Sequence, residues 1–346
     1  FARSNILKTN GKKIGVINLP KFYSNFGDAN GRSCAEDVAR ELERLKADTV
    51  DGVIVDLRSN GGGSLQEVVN MVGLFIPEGP VVQVKGKTGR PGLYMDRDAK
   101  ITYSGPLVVM MNEFSASASE IFAAAIQDYR RGVILGSGSY GKGTVQRPYD
   151  LNHFKNKNDS FDLGNIHITM QKYYRVNGSS VQLKGVTPDI RLNGYYESHK
   201  VKEKDQETAL PWDELSKQQY TTWSEVPELI TMKEHFNKHI DTAGQFAKFD
   251  ENAQWLANQN ELPKTVSEKA YRELVKNIKE KSTYNRNLMR MDTDQDVYGI
   301  YDGVTKDLIK IDRNNRVTNY YKRDRYLAIT GELMSKWIDK AAMTSN

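Results

Sequence analysis

A single cysteine, Cys34, stands among 346 residues, so no disulfide can form within the chain. It marks neither an oxidising nor a reducing compartment. With Ala35, Val38, Leu42 and Leu45 it follows a helical pattern, which predicts a packed thiol rather than a catalytic one. No run of eighteen apolar residues occurs, which excludes a membrane-spanning helix. The net charge of +5 comes from 49 cations dispersed among 44 acids. That balance is too mild and too scattered for a nucleic-acid surface. Histidine is scarce, with five residues, and none sits in a context that suggests a Ser/His/Asp triad. His235 and His239 share one face of an expected helix, but Phe236 stands where a zinc protease has glutamate. Asp292, Asp294 and Asp296 begin like a calcium loop. Val297 replaces its glycine and Gly303 its bidentate glutamate, so a polar turn is expected. Gly136 to Lys142 begins like a phosphate-binding loop, but Gly143 stands where a hydroxyl residue is needed. No metal, cofactor or nucleotide is expected.

The informative stretch is 108–146. Residues 106–111 are an apolar run of buried-strand length. Ser117 with Glu120 three residues on is a capping-box pattern. Ile121, Ala124, Ala125 and Asp128 follow at helical spacing, and Arg130-Arg131-Gly132 supplies cations and a glycine stop. The reading is strand, tight turn, helix, strand, glycine-rich loop, strand. About fourteen helical residues carry the chain ~21 Å away, and the strand from Gly132 returns it roughly as far. The loop around Lys142 can therefore lie beside the helix start at Ser117. A hydroxyl at the positive end of a helix and an uncrowded amine could be a nucleophile and its base. On local chemistry alone, a capping serine and a solvated lysine fit these residues as well.

Ser115-Ala-Ser-Ala-Ser-Glu-Ile121, Gln127-Asp-Tyr129 and Gly141-Lys-Gly-Thr-Val-Gln146, with Asp56-Leu-Arg-Ser-Asn-Gly-Gly-Gly63 upstream, resemble the tail-specific (C-terminal-processing) serine protease family. Lys142 follows Ser117 by 25 residues, which is that family's spacing and selects the middle serine of three. The likeness runs over about 14–190 and is nearest to the family's periplasmic Gram-negative branch. It implies a Clp-protease/crotonase-like core in an α/β fold. It also implies a peptide-binding PDZ domain, for which nothing ahead of Ile14 has room. The chain is therefore expected to be a carboxy-terminal fragment that starts just after that domain.

Along the chain, strands are expected at 14–19, 53–57, 81–85 and 166–170, and helices at 33–47 and 65–75. Residues 86–100 are expected to be a loop and 155–162 a surface excursion. Strand-turn-helix recurs near Ile14, Val53 and Val108, suggesting stacked ββα units. From about Tyr195 glycine becomes scarce and polar residues dominate, with helices expected over 228–239, 267–282 and 320–342. This gives a serine protease core domain over 1–194 and a mainly helical C-terminal domain over 195–346, with no catalytic motif in the second.

Acyl transfer needs a nucleophile, a base and donors for the oxyanion. Ser117 would attack the scissile carbonyl and Lys142, neutral, would take its proton. Burial must bring a lysine from about 10.4 towards ~7–8 for that role. Gln146 lies four residues beyond Lys142, on the same side of a strand, and could hold the amine; the family has glutamine there. The N–H of Ala118 is one natural oxyanion donor. The second would come from the Gly61–Gly63 turn, and the resemblance points to Gly63, with Gly62 in support. Glu120 and Asp128 also match family positions and are expected to support structure, as a cap partner and a helix-end contact. The resemblance implies protein or peptide substrates with free, often apolar, C-terminal tails, and an adaptor protein as a further partner. The resemblance also implies a periplasmic or otherwise extracytoplasmic location. A catalytically silent scaffold or adaptor-binding module retaining the fold is the alternative. In this chain alone, the Ser117 hydroxyl is expected beyond hydrogen-bond reach of Lys142, with 136–143 as the part that moves.

Overall fold

The computed structural model describes residues 1–24, 31–155, 160–223, 236, 244–263, 265–300 and 308–344. The helix expected over 228–239 lies outside the described residues except for Phe236, as do 156–159 of the surface excursion. The chain opens with a hairpin, β1 (Arg3–Thr9) and β2 (Lys12–Asn18), joined by Asn10-Gly11, both at positive φ. Asn-Gly is the favoured pair for such a two-residue turn. The sequence reading began at Ile14 and missed β1. Helix α1 (Cys34–Ala47) follows, capped by Ser33, whose hydroxyl accepts from the Glu36 N–H. Strand β3 (Gly52–Asp56) leads to α2 (Leu65–Gly73), capped by Ser64. Strands β4 (Gly79–Gly86) and β5 (Gly92–Asp96) pair antiparallel, so part of the expected 86–100 loop is a strand. Next come β6 (Leu107–Met111), α3 (Ala118–Asp128) and β7 (Val133–Gly136). After the glycine-rich loop, β8 (Thr144–Asp150) and β9 (Asn165–Tyr174) form a hairpin, and β10 (Ile190–Arg191) closes the segment.

Two sheets result. The larger has the order β10-β7-β6-β3-β2-β1 and then β11 (Asp296–Gly299) from far down the chain. Strands β2, β3, β6, β7 and β10 run parallel, and β1 and β11 add antiparallel. The smaller has the order β5-β4-β9-β8. Every residue of β3, β6 and β7 is buried, as the near-continuous apolar runs of a two-sided parallel sheet require.

The two faces bury different partners. Val53, Val55, Val109 and Ile134 pack with α1, α2 and α3, through Leu42, Val68 and Phe122. Their strand neighbours Ile54, Val108, Met110 and Leu135 face the other way, towards Tyr321, Leu327, Met334 and Trp337. These lie on α6 (Leu308–Tyr321) and α7 (Arg325–Thr344), which follow α4 (Gln245–Glu261) and α5 (Glu268–Leu288). The carboxy-terminal half thus supplies one layer of an α/β/α sandwich. One helix was expected over 320–342. The chain instead breaks at Lys322–Asp324, where the Asp324 carboxylate accepts from the Tyr326 N–H at 3.0 Å and opens α7. Asp324 also accepts from Arg58 at 2.5 Å, and Arg58 donates twice more to Asp56 at the end of β3. Among the described residues, no helix is long and apolar enough to cross a membrane.

Candidate active site

The site forms where three parallel strands end side by side. Beyond β3, the Asn60 side chain is fully buried; it donates to the Leu19 carbonyl at 2.8 Å and accepts from the Gly62 N–H at 2.9 Å. The Asn60 carbonyl accepts from Ala116 N–H and Ser119 Oγ, which locks this turn to the start of α3. Gly62 and Gly63 have φ of 100° and 150°, conformations that disfavour a side chain. A Cβ on Gly62 would stand 2.8 Å from Ser117 Cβ, and one on Gly63 would stand 2.1 Å from the Phe22 carbonyl oxygen.

Beyond β6, the Ser115 hydroxyl donates to the Leu57 carbonyl at 2.8 Å. Ser117 then turns the chain into α3 with φ 57° and ψ −114°. A non-glycine residue there carries strain of roughly 1–3 kcal/mol, which the surroundings must hold. The restraint comes from Glu120. Its side chain is fully buried and accepts four hydrogen bonds: Ser117 N–H at 2.8 Å, Lys142 N–H at 3.0 Å, and Gly141 N–H and Ser139 Oγ at 2.6 Å each. Burial pushes its carboxyl up to about 7 against the pull of those four donors. Glu120 is thus more than a cap partner, because it ties the serine turn to the lysine loop. Tyr173 of β9 adds a second tie, its hydroxyl 2.5 Å from the Lys142 carbonyl and 3.1 Å from the Ser117 carbonyl.

Lys142 is half-buried and its amine donates to Gln146 Oε1 at 3.2 Å. Among the described residues, no hydrogen bond joins that amine to the Ser117 hydroxyl. The loop carrying Lys142 is closely held: Tyr140 N–H donates to Ser115 O, Gly141 O accepts from Leu183 N–H, and Gly143 N–H donates to Gln182 Oε1 at 2.7 Å. Its glycines had suggested a loop that moves easily; the hydrogen bonds fix it instead. The N–H groups of Ala118 and Gly63 donate to nothing among the described residues. Asp128 lies at the far end of α3, bridged by Arg175 through two hydrogen bonds of 2.6 and 3.0 Å and by Asn177 at 2.8 Å. No cluster of metal-binding side chains occurs among the described residues, and Asp294 pairs with Arg323. Sequence reasoning missed Ser139, Tyr173 and Gln182. Their partners lie 19 to 56 residues away, beyond any local spacing rule.

The profile of peptidase family S41 matches residues 13–192, more than half of the chain, and the chain belongs to that family. A second profile, the C-terminal domain of tail specific protease, matches residues 196–339. The chain is 46% identical over 213 residues to the tail-specific protease of Haemophilus influenzae, covering 62% of this chain and 29% of that protein. It is 37% identical over 181 residues to the carboxy-terminal-processing protease of Bartonella bacilliformis, covering 51% and 38%. Among solved structures, the photosystem II D1 C-terminal processing protease matches at 28% identity and a TM-score of 0.45, over 56% of this chain and 47% of that one. The chain spans less than two fifths of the length of the two curated relatives.

Proposed function

We propose that this chain carries the catalytic site of a serine endopeptidase that works through a Ser117/Lys142 dyad and an acyl-enzyme. The observation that carries the reading is the double tie between the Ser117 turn and the Lys142 loop by Glu120 and Tyr173. A capping serine and a solvated lysine have no need to be fixed to each other in this way. In this reading, Ser117 Oγ attacks the scissile carbonyl carbon as its proton passes to the neutral Lys142 amine, which Gln146 orients. The oxyanion is received by the unspent N–H groups of Ala118 and Gly63. Collapse of the tetrahedral species breaks the C–N bond, and Lys142 returns the proton to the departing amine. Water then adds to the ester with Lys142 again as base, releasing the acid and restoring Ser117.

The names of the relatives support substrates with free C-terminal tails. Apolar tails fit the exposed Ile166, Ile168 and Met170 on β9, in the hairpin that starts two residues after Lys142. We place the protein in the periplasm or another extracytoplasmic space. We divide it into a protease core over 1–194 and a mainly helical domain over 195–346, with an adaptor protein as a further partner. The test is labelling of the full-length protein by a serine-reactive phosphonate followed by mass mapping. The expected result is one adduct, on Ser117, with turnover abolished in Ser117→Ala and Lys142→Ala. Labelling elsewhere, or full turnover by either variant, would sink the dyad.

A further inference from the structure

Beyond β10 the chain runs from Tyr195 to Trp223 along the outside of the core, with one short 3-10 turn, Glu203–Asp205, as its regular structure. This strap lies beyond the stretch matched by the peptidase profile and, from Tyr196 on, within the stretch matched by the tail-specific C-terminal domain. It is tied to the core at points along its length. Trp212 Nε1 donates to the Ser180 carbonyl, Leu215 N–H to the Gly178 carbonyl, and Trp223 N–H to the Tyr129 carbonyl at the end of α3.

At one place the strap meets the loop that carries Lys142. Lys202 Nζ, on a side chain only 12% exposed, donates to the Gly138 carbonyl at 2.7 Å. The Glu203 N–H donates to the Tyr140 carbonyl at 3.1 Å. The Glu203 carboxylate accepts from Gln182 Nε2 at 3.0 Å, and the Oε1 of that same buried amide receives the Gly143 N–H at 2.7 Å. Two of these contacts fall before Lys142 and one falls after it. The loop between includes Gly141 at φ 95°, a backbone with wide freedom unless it is held from outside. Glu120 and Tyr173 hold Lys142 and Gly141 from the core side, and the strap, some 60 residues on, holds the same loop from outside.

We propose that Lys202 and Glu203 are positioning residues: the strap presses the Lys142 loop into register with Ser117, so the domain without a catalytic motif of its own sets the base. This rests on the dyad reading above. Both residues contact the loop and Gln182 and neither bonds to the side chain of Ser117 or Lys142, so loosening the strap is expected to lower the chemical step and spare binding.

The experiment compares the full-length Lys202→Ala/Glu203→Ala double variant with Glu203→Ala, Glu203→Gln and Lys142→Ala on one peptide substrate, with melting temperatures alongside. A glutamine at 203 still offers Oε1 to Gln182 Nε2. The expected result is a tenfold or larger fall in kcat for the double variant with KM within twofold. A smaller fall is expected for Glu203→Ala, and Glu203→Gln should stay within twofold of the parent enzyme. An unchanged kcat in the double variant, beside an inactive Lys142→Ala, overturns the strap alone. Turnover by Lys142→Ala overturns the dyad and the strap inference with it. A Glu203→Gln variant that falls as far as Glu203→Ala, or a kcat loss matched by KM and melting temperature, reduces the strap to a structural part and also overturns the proposal.

Discussion

The Tyr173 hydroxyl lies 2.5 Å from the carbonyl oxygen of Lys142. It is also 3.1 Å from the Ser117 carbonyl, so one phenol touches the backbone of both members of the proposed dyad. Burial holds its acidity well below that of an ordinary tyrosine, and Glu120 and Glu203 add to the effect. The group therefore remains a donor at every working pH. Tyr173→Phe keeps the ring and removes the donor, leaving the Lys142 carbonyl short of a partner, while the Ser117 carbonyl keeps the Ile121 N–H. The expected cost is about 1 kcal/mol of stability. If the tie matters for alignment, kcat falls by about tenfold, which is ~1.4 kcal/mol of barrier. Urea denaturation and steady-state kinetics on the same preparation check the two parts separately.

Glu120 predicts a pH dependence. Burial raises its carboxyl from the ordinary 4.5 to about 7. The unfolded chain releases this proton first, so the native state loses stability as pH climbs through that window. The contribution is about 3 kcal/mol, fully present below about pH 4.5 and gone above about pH 7. Glu120→Gln cannot titrate. Its amide also presents N–H where two of the four donors need an acceptor, so the variant is less stable at any pH. The difference between parent and variant should therefore be larger at pH 5 than at pH 8. A constant difference would mean that the carboxyl does not titrate in this range.

The Arg58 guanidinium joins Asp56 at the end of β3 to Asp324 at the start of α7. Its side chain is 12% exposed and those of the two carboxylates 4% and 2%, so solvent screens little of the interaction. Removing one partner of a buried pair is strongly destabilising because the other charge stays behind. Asp324→Ala leaves Asp56 in place, which softens the loss, but also deletes the cap on the Tyr326 N–H. The expected cost is about 3 kcal/mol by denaturant unfolding. Asp324→Asn, which keeps a capping oxygen, should cost less.

Local chemistry made much of this legible. The apolar runs of β3 and β6, the Ser117–Glu120 spacing and the glycines around Lys142 all follow from short-range rules, and the structure puts them at adjoining strand ends. What local rules could not supply is the second end of each long tie. Glu120 fits a cap by its spacing from Ser117, yet two of its donors, Gly141 and Lys142, lie across a strand and a loop. Tyr173 sits in an alternating strand with nothing to mark its hydroxyl. Strand β5 lies in a segment whose charges and glycines predict a loop, although its pairing with β4 needs only five residues. Strand β1 has one local signal, the Asn10-Gly11 turn that joins it to β2. The break at Lys322–Asp324 has a local sign in the charged run Lys322-Arg323-Asp324-Arg325, but the tie from Asp324 to Arg58, 266 residues away, has none.

The three consecutive glycines after Asn60 allow one chemical change to be tested at neighbouring positions. A Cβ on Gly61 meets no atom within 4 Å, and this residue is exposed. A Cβ on Gly63 would stand 2.1 Å from the Phe22 carbonyl oxygen and 2.7 Å from its carbon, at a φ of 150°. That carbonyl cannot simply retreat, because it accepts the Ser64 N–H at 2.8 Å while the Phe22 N–H donates to Gly62 at 3.0 Å. In Gly63→Ala the turn must therefore shift, and the Gly63 N–H shifts with it. If that N–H receives the oxyanion, its misplacement costs about 10²–10³ in kcat. Gly61→Ala should leave kcat within about threefold, a change of less than ~1 kcal/mol in barrier. Kinetics on both variants, with circular dichroism to establish that each is folded, decide the point. A folded Gly63→Ala enzyme with parental kcat would remove this N–H from the proposed oxyanion site and leave Ala118 to act without it.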